Sequence, residues 1–416
     1  MKILWISNQL MANLSEKLNL SMGFGGGWME LLAKQLCENN ELAVVAPISR
    51  RGELIEDRII DQVHCFTIPT YKVALKPNEK VRNQIIKIIK NFQPDIIHIW
   101  GTEYVHTYSA MLAAKDMDMV DRTIISIQGM VSVYARHYMA YISSSKFPFS
   151  VGEFAKRRTI KQQQKAFIKR GEYERKALEI SNNVIGRTEW DEACTKQINP
   201  DICYFFCNET LRSIFYNYEW DITKCNKYSI FVSQSNYPIK GFHLVLEAIA
   251  ILKRKWPNVT VYTTGHLTEG INEGSYSKLI RNYIKKFHLE KNVVYLGKLN
   301  EEQMCEQYLK SHVFVSSSSI ENSPNSVGEA MLLGMPIVSS DVGGVKNILK
   351  DKKEGYIYPA DEIYMLAYYI DKIFTNKDEA VLMGKAARNH ALKTHNREQN
   401  FLRLLEIYNE LINKTK

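Results

Sequence analysis

The sequence predicts an α/β protein made of two doubly wound parallel sheets in tandem, and three observations carry that expectation. Short apolar runs of strand length recur in two separate series, with helical or loop segments between them. A polar, aromatic stretch around YNYEWDITKCNK divides the two series. At 416 residues, the chain is longer than one hydrophobic core normally supports.

The first series reads KILWIS, ELAVVAP, VHCFTIP, DIIHIW, TIISIQG and NVIGR. Near-continuous apolar strands of this kind are buried on both faces, which fits a parallel sheet with right-handed crossovers. The second series is YSIFVSQ, VTVYTTG, NVVYLG, VFVSSS, PIVSS and GYIYPA. The boundary is expected between residues 218 and 228, giving a first domain of residues 1–222 and a second of 223–392. The last stretch, residues 393–416, contains REQNFLRLLEIYNELINK, whose apolar residues fall at helical spacing. No repeat of solenoid length is present.

Composition narrows the class. Apolar content of 45% and charged content of 24% are globular values. Seven cysteines in so long a chain make no disulfide framework and point to a reducing compartment. Cys203 and Cys207 lack the paired spacing of a zinc site and read as small core residues. No run of 18 apolar residues occurs, and MKILWIS reads as a first buried strand rather than a signal peptide. The expectation is a cytoplasmic protein, soluble or peripheral at the inner face of the membrane.

The richest stretch is ENSPNSVGEAMLLGMPIVSSDVGG, from Glu321 to Gly344. HVFVSSSS before it reads as a buried strand ending in a serine run, and PIVSS after it as the next strand. Between them Pro324 suits a first helical turn with Ser323 as cap, and Gly334 with Pro336 marks the stop. Ligands of such sheets sit beyond the strand carboxyl ends, where helix amino termini offer N–H groups to phosphate. If Ser326 caps the helix, Glu329 merely completes a capping box. A start at Pro324 places Glu329 too deep for that, where it can accept from a ribose diol while Glu321 meets sugar hydroxyls.

This segment resembles the donor-binding signature of retaining glycosyltransferases of the GT-B fold, family 4, whose Glu-x7-Glu pair corresponds to Glu321 and Glu329. The resemblance extends through GFGGGW, PDIIHIWG, NVIGRTEWD, IKGFHLVLEAIAIL, TVYTTGH, NVVYLGKLN and EGYIYPAD. It implies two Rossmann-like domains facing a central cleft, the first binding acceptor, the second binding a nucleotide-sugar donor. It also implies a terminal helix packing back on the first domain. The cluster Gly23, Gly25, Gly26 and Gly27 does not fit the dinucleotide fingerprint, which disfavours NAD. By resemblance, Gly26 and Gly27 face the donor diphosphate.

Lys240 and Gly241 match the family's Lys-Gly, where an ammonium can neutralise the leaving diphosphate together with the N–H groups of Asn325, Ser326 and Val327. Many relatives carry an arginine several residues earlier; here stand Ser233, Gln234 and Ser235. Where many relatives place a histidine near the reacting sugar, this chain has Gln128, which hydrogen-bonds but does not titrate. Glu103 and His106 lie just beyond DIIHIW and can face an acceptor, with His137 as a further candidate, whereas His98 within that run reads as a core histidine.

The resemblance implies front-side displacement with the leaving diphosphate helping to deprotonate the acceptor, no cofactor, and no metal, since no Asp-x-Asp motif stands in a fitting context. The expected activity is hexosyl transfer from a UDP-type sugar to a glycan or lipid-linked acceptor in capsule, exopolysaccharide or O-antigen synthesis. The alternatives are a nucleotide-sugar epimerase of the same fold and a catalytically silent, membrane-peripheral scaffold. The formal charge of +9 has a local source: from Lys156 to Arg170 run seven basic residues and no acid. They read as a solvated helix or as a contact for an anionic membrane or acceptor; no nucleic-acid motif accompanies them.

Overall fold

The computed structural model describes residues 1–18, 27–48, 57–69, 75–268, 270 and 273–414. They form two compact units. One comprises Met1–Val133, Ala166–Thr210 and Asn396–Lys416; the other comprises Tyr134–Lys165 and Leu211–His395.

The first unit holds β1 (Lys2–Ile6), β2 (Glu41–Ile48), β3 (Arg58–Ile60), β4 (Val63–Pro69), β5 (Ile96–Trp100), β6 (Thr123–Ser126), β7 (Asn183–Gly186) and β8 (Cys203–Phe206). Their order is β3-β4-β2-β1-β5-β6-β7-β8. All neighbours pair in parallel except β3 with β4. Every residue of β5 is buried, because helices cover both faces of a parallel sheet. The order reverses between β1 and β5, the place where such sheets bind ligands.

The Arg397–Lys414 helix packs on this sheet through Leu404, Ile407, Tyr408 and Leu411, which share a core with Ile3 and Trp5. The Tyr408 hydroxyl accepts from Trp5 Nε1 at 3.2 Å and lies 2.6 Å from His98 Nδ1. His98 Nε2 is 2.7 Å from Ser126 Oγ, and burial pushes the imidazole down to about 3, so it is neutral. Assigning the Tyr408 proton to Nδ1 and the ring proton to Ser126 gives every polar atom a partner. His98 is thus a satisfied core histidine.

The second unit holds β9 (Asn226–Val232), β10 (Thr260–Thr263), β11 (Val293–Tyr295), β12 (Ser311–Ser316), β13 (Ile337–Asp341) and β14 (Tyr356–Pro359). Their order is β11-β10-β9-β12-β13-β14, parallel throughout. Here the reversal falls between β9 and β12. Both units are Rossmann-like α/β layers.

Three features depart from expectation. β3 and β8 were not anticipated as strands; Cys203, in β8, is half-buried and packs against the edge of the core that buries Cys207. The expected boundary at 222/223 lies inside the second unit, because Leu211, Phe215 and Trp220 are buried in its core beside Val327 and Leu333. Residues 134–165 also belong to that unit. His243, driven neutral to about 4 by burial, stands 3.0 Å from the Ala140 carbonyl through Nε2, and the Ser319 hydroxyl donates to the His137 carbonyl at 3.0 Å.

Candidate functional site

Two loops meet at the reversal point of the second sheet. The chain leaving β9 turns through Pro238–Lys240 and enters the Phe242–Leu252 helix; the chain leaving β12 runs through the serines to Glu321. Serine hydroxyls stitch the two together. Ser317 Oγ donates to the Lys240 carbonyl at 2.8 Å, the Ser319 N–H to the Ile239 carbonyl at 2.7 Å, and Ser340 Oγ to the Ser318 carbonyl at 2.7 Å. Buried carbonyls in a non-helical loop need donors, and serine supplies one at little bulk. Gly241 has φ +65°, and a Cβ there would sit 1.9 Å from the Ser317 carbonyl oxygen. Gly343, at φ +49°, would place one 1.8 Å from the Glu321 carbonyl oxygen.

These loops bring together two expected residues. Lys240 Nζ lies 2.5 Å from Glu321 Oε1, which also accepts from Ser318 Oγ at 2.6 Å. Burial works against the ammonium, but the Glu321 carboxylate and then Tyr237 outweigh it, so the Lys240 pKa stands above its ordinary value. The lysine is charged, orientated and one-fifth exposed.

The adjacent helix is Asn325–Leu333, with Pro324 at the N-cap position and no side-chain cap. Ser323 therefore does not cap it, and Ser326 and Glu329 form no capping box. The Val327 N–H is committed to the Pro324 carbonyl at 2.9 Å, which corrects its expected role as a phosphate donor. Asn325 and Ser326, both half-buried, retain the first N–H groups of the helix.

Glu329 is 4% exposed and held by Arg212 in a two-point fork, Nε to Oε1 at 2.7 Å and Nη2 to Oε2 at 2.8 Å. Burial lowers the guanidinium pKa, but Glu329 raises it further, leaving it above the ordinary value. Neither Arg212 nor this pairing was foreseen. Each acid of the Glu-x7-Glu pair thus carries its own cation.

In the first unit, Glu103 follows β5 and accepts from Asn8 Nδ2, which follows β1, at 2.9 Å. Burial pushes its carboxyl up to about 7. His106, in the first turn of the Val105–Asp116 helix, is pushed down to about 4 by burial, and its ring stacks on Tyr104. Gln128, past β6, donates from Nε2 to Glu209 Oε1, while Arg187 Nη1 lies 2.7 Å from Glu209 Oε2. Arg187 and Glu209 line an open pocket together with Trp100, Ser126 and Thr210. Arg187 and Glu209 were missed in the sequence, although Arg187 closes the NVIGR run.

The remaining expectations fall elsewhere. His137 was grouped with the acceptor side, yet it lies in the second unit beside the Ser319 loop; burial and then Arg136 lower its pKa. Gly23, Gly25 and Gly26 lie outside the described residues, and Gly27 begins the Gly27–Cys37 helix. Among the described residues, no group of three His, Cys, Asp or Glu side chains is placed to hold a metal.

Residues 219–390 match the family model Glycosyl transferases group 1, and residues 29–141 match Glycosyl transferase 4-like. The poly(ribitol-phosphate) alpha-N-acetylglucosaminyltransferase of Staphylococcus aureus (strain COL) is 27% identical over 173 residues, 41% of this chain and 33% of that protein. The chain spans between about a third and a half of the length of the curated relatives it matches. Sucrose-phosphate synthase from Thermosynechococcus elongatus superposes with a TM-score of 0.73 at 14% identity, covering all of both chains. Anabaena Alr3699/HepE in complex with UDP gives 0.67 at 16% identity, over 99% of this chain and all of that one. Residues 29–141 thus resemble one glycosyltransferase family and residues 219–390 another, and the two Rossmann-like sheets share the fold of these solved structures, the GT-B fold.

Proposed function

We propose that this protein is a retaining glycosyltransferase that moves a hexosyl group from a nucleotide diphosphate sugar, UDP-linked in the first instance, to a glycan or lipid-linked acceptor in cell-surface polysaccharide synthesis. The observation that carries the reading is the charged Lys240, held on Glu321 at the sheet's reversal point, beside a helix start with two N–H groups that are uncommitted among the described residues. That combination suits a diphosphate leaving group, because fixed donors in a partly desolvated site stabilise developing charge without reorganising. The Anabaena neighbour is in complex with UDP, and the Staphylococcus relative is by name a poly(ribitol-phosphate) glycosyltransferase, which supports the substrate classes chosen.

In this reading Lys240 and the Asn325 and Ser326 N–H groups take the diphosphate. Glu321, relieved of its cation, orients the donor sugar, and Glu329 meets the ribose. Glu103, Gln128 and His106 serve the acceptor, whose hydroxyl is deprotonated with help from the leaving phosphate on the same face, so configuration is kept. No metal or cofactor takes part. The enzyme works at the cytoplasmic face of the membrane, attracted there by the basic residues from Lys156 to Arg170.

A thermal-shift panel of UDP-, GDP- and dTDP-sugars tests the donor site, since a ligand of the folded state raises apparent stability. One member of the panel is expected to stabilise the protein, and transfer to a polyol or glycan acceptor should then give a product that keeps the donor's anomeric configuration by NMR. Silence across the panel sinks the reading. Isomerised nucleotide sugar without acceptor would make the protein an epimerase, and binding with neither hydrolysis nor transfer a scaffold.

A further inference from the structure

The second unit carries a surface feature that the donor site does not use. Between residues 134 and 165 stand seven basic residues and a single acid, Glu153. Lys146, Lys156, Arg157, Arg158, Lys161 and Lys165 are all exposed. The basic run is not one helix as read from the sequence: residues 156–159 form the turn before the Ile160–Ile180 helix, and Arg157 has φ +51°.

Just ahead of this turn, three apolar side chains point outwards. Phe149 is 66% exposed, Val151 56% and Phe154 65%, among the most exposed large apolar side chains described. The two rings lie with centroids 5.7 Å apart. Their backbone is fixed. The Ser150 side chain caps the short Val151–Ala155 helix by accepting from the Glu153 N–H, and its hydroxyl donates to the Glu273 carbonyl at 2.6 Å. Lys278 Nζ donates to the Phe149 carbonyl at 3.1 Å. The apolar tip is therefore held out from the unit by specific bonds.

We propose that this tip and the basic turn beside it form a bilayer-docking surface, in which Phe149, Val151 and Phe154 enter the headgroup–acyl boundary of an anionic membrane while the neighbouring lysines and arginines meet lipid phosphates. Exposed apolar side chains with basic ones next to them in the chain are complementary to an anionic lipid surface on both counts. A nucleic acid would satisfy the charges but leave an aliphatic valine and a protruding tip without a counterpart, since phosphate contacts alone ask for no apolar insertion. The inference stands on the surface itself, and only its purpose, bringing the enzyme to a lipid-linked acceptor, rests on the proposed function.

The test is co-sedimentation of the full chain with vesicles of phosphatidylglycerol and phosphatidylcholine, and with phosphatidylcholine alone, at low and at high salt. Three proteins are compared: the wild type, the triple variant Phe149→Ser, Val151→Ser, Phe154→Ser, and the quadruple variant Lys156→Gln, Arg157→Gln, Arg158→Gln, Lys161→Gln. The wild type is expected on anionic vesicles only, with a fraction that survives high salt because insertion is not screened. The triple variant should bind at least about tenfold more weakly and lose the salt-resistant fraction. The quadruple variant should lose the low-salt attraction.

Melting temperature and the shift produced by UDP, expected unchanged in both variants, guard against misfolding. The proposal is overturned if the wild type ignores anionic vesicles at low salt, or if the triple variant binds as the wild type does. A single-stranded oligonucleotide that displaces the protein from vesicles at equal phosphate concentration would also overturn it, in favour of nucleic acid. A wild type that docks on vesicles yet answers to no nucleotide sugar would leave this surface standing and remove the proposed function.

Discussion

At the reversal point of the second sheet, Lys240 and Glu321 sit 2.5 Å apart as an ion pair; at that of the first, Glu103 accepts from the Asn8 amide, while the charges of Glu174 and Arg170 pull its carboxyl in opposite directions. The consequence is opposite in sign. The paired site keeps its lysine ionised whatever the physiological pH, because the carboxylate outweighs the cost of burial. The Glu103 carboxyl is pushed up to about 7, chiefly by that same burial. One half of the molecule presents a fixed charge, the other a carboxyl whose charge changes near neutral pH.

The sharpest way to break this comparison is Lys240→Gln. With the fixed charge gone, turnover should fall by roughly a hundred- to a thousandfold; a rate within a few fold of wild type would show that the lysine merely decorates the loop. Next in size is Glu329→Ala, which strands Arg212 and removes a charged hydrogen bond. Nucleotide affinity measured by calorimetry should drop by about 1.5–3 kcal/mol, and unchanged affinity would mean that the fork serves only folding.

Glu103→Gln should act more gently, raising the acceptor KM and removing the rise in kcat/KM expected as pH climbs through about 7. The stability sign is also defined. A carboxyl whose folded pKa is raised costs stability progressively from its ordinary pKa of 4.5 up to about 7, so the glutamine variant should melt like wild type at pH 4 and above it at pH 8. An unaltered profile would place the proton exchange elsewhere. The smallest expected effect is that of EDTA: transfer should continue at the same rate, and its loss with recovery on adding magnesium would replace the lysine-centred account.

The strands were legible because twelve of them are apolar runs punctuated by turn residues, and the Glu321–Gly344 stretch was legible because its spacing is local. β3 was not, since Arg58–Ile60 is too short to show a period and leaves Ile59 exposed. What escaped altogether was pairing at long range. Arg187 meets Glu209 across 22 positions and Arg212 meets Glu329 across 117, and no local pattern announces either. The allegiance of residues 134–165 escaped for the same reason: it is written in bonds from Ser319 and His243 to backbone carbonyls, which any residue type would offer.

Gly241 and Gly343 add a consequence for inheritance. Each holds a backbone that an L side chain resists, and each is pressed against a carbonyl oxygen of the loop that carries Glu321. In a library of all single substitutions selected only for soluble, folded protein, these two columns should empty of everything but glycine. The loop proposed to hold the donor would then announce itself before any sugar had been offered.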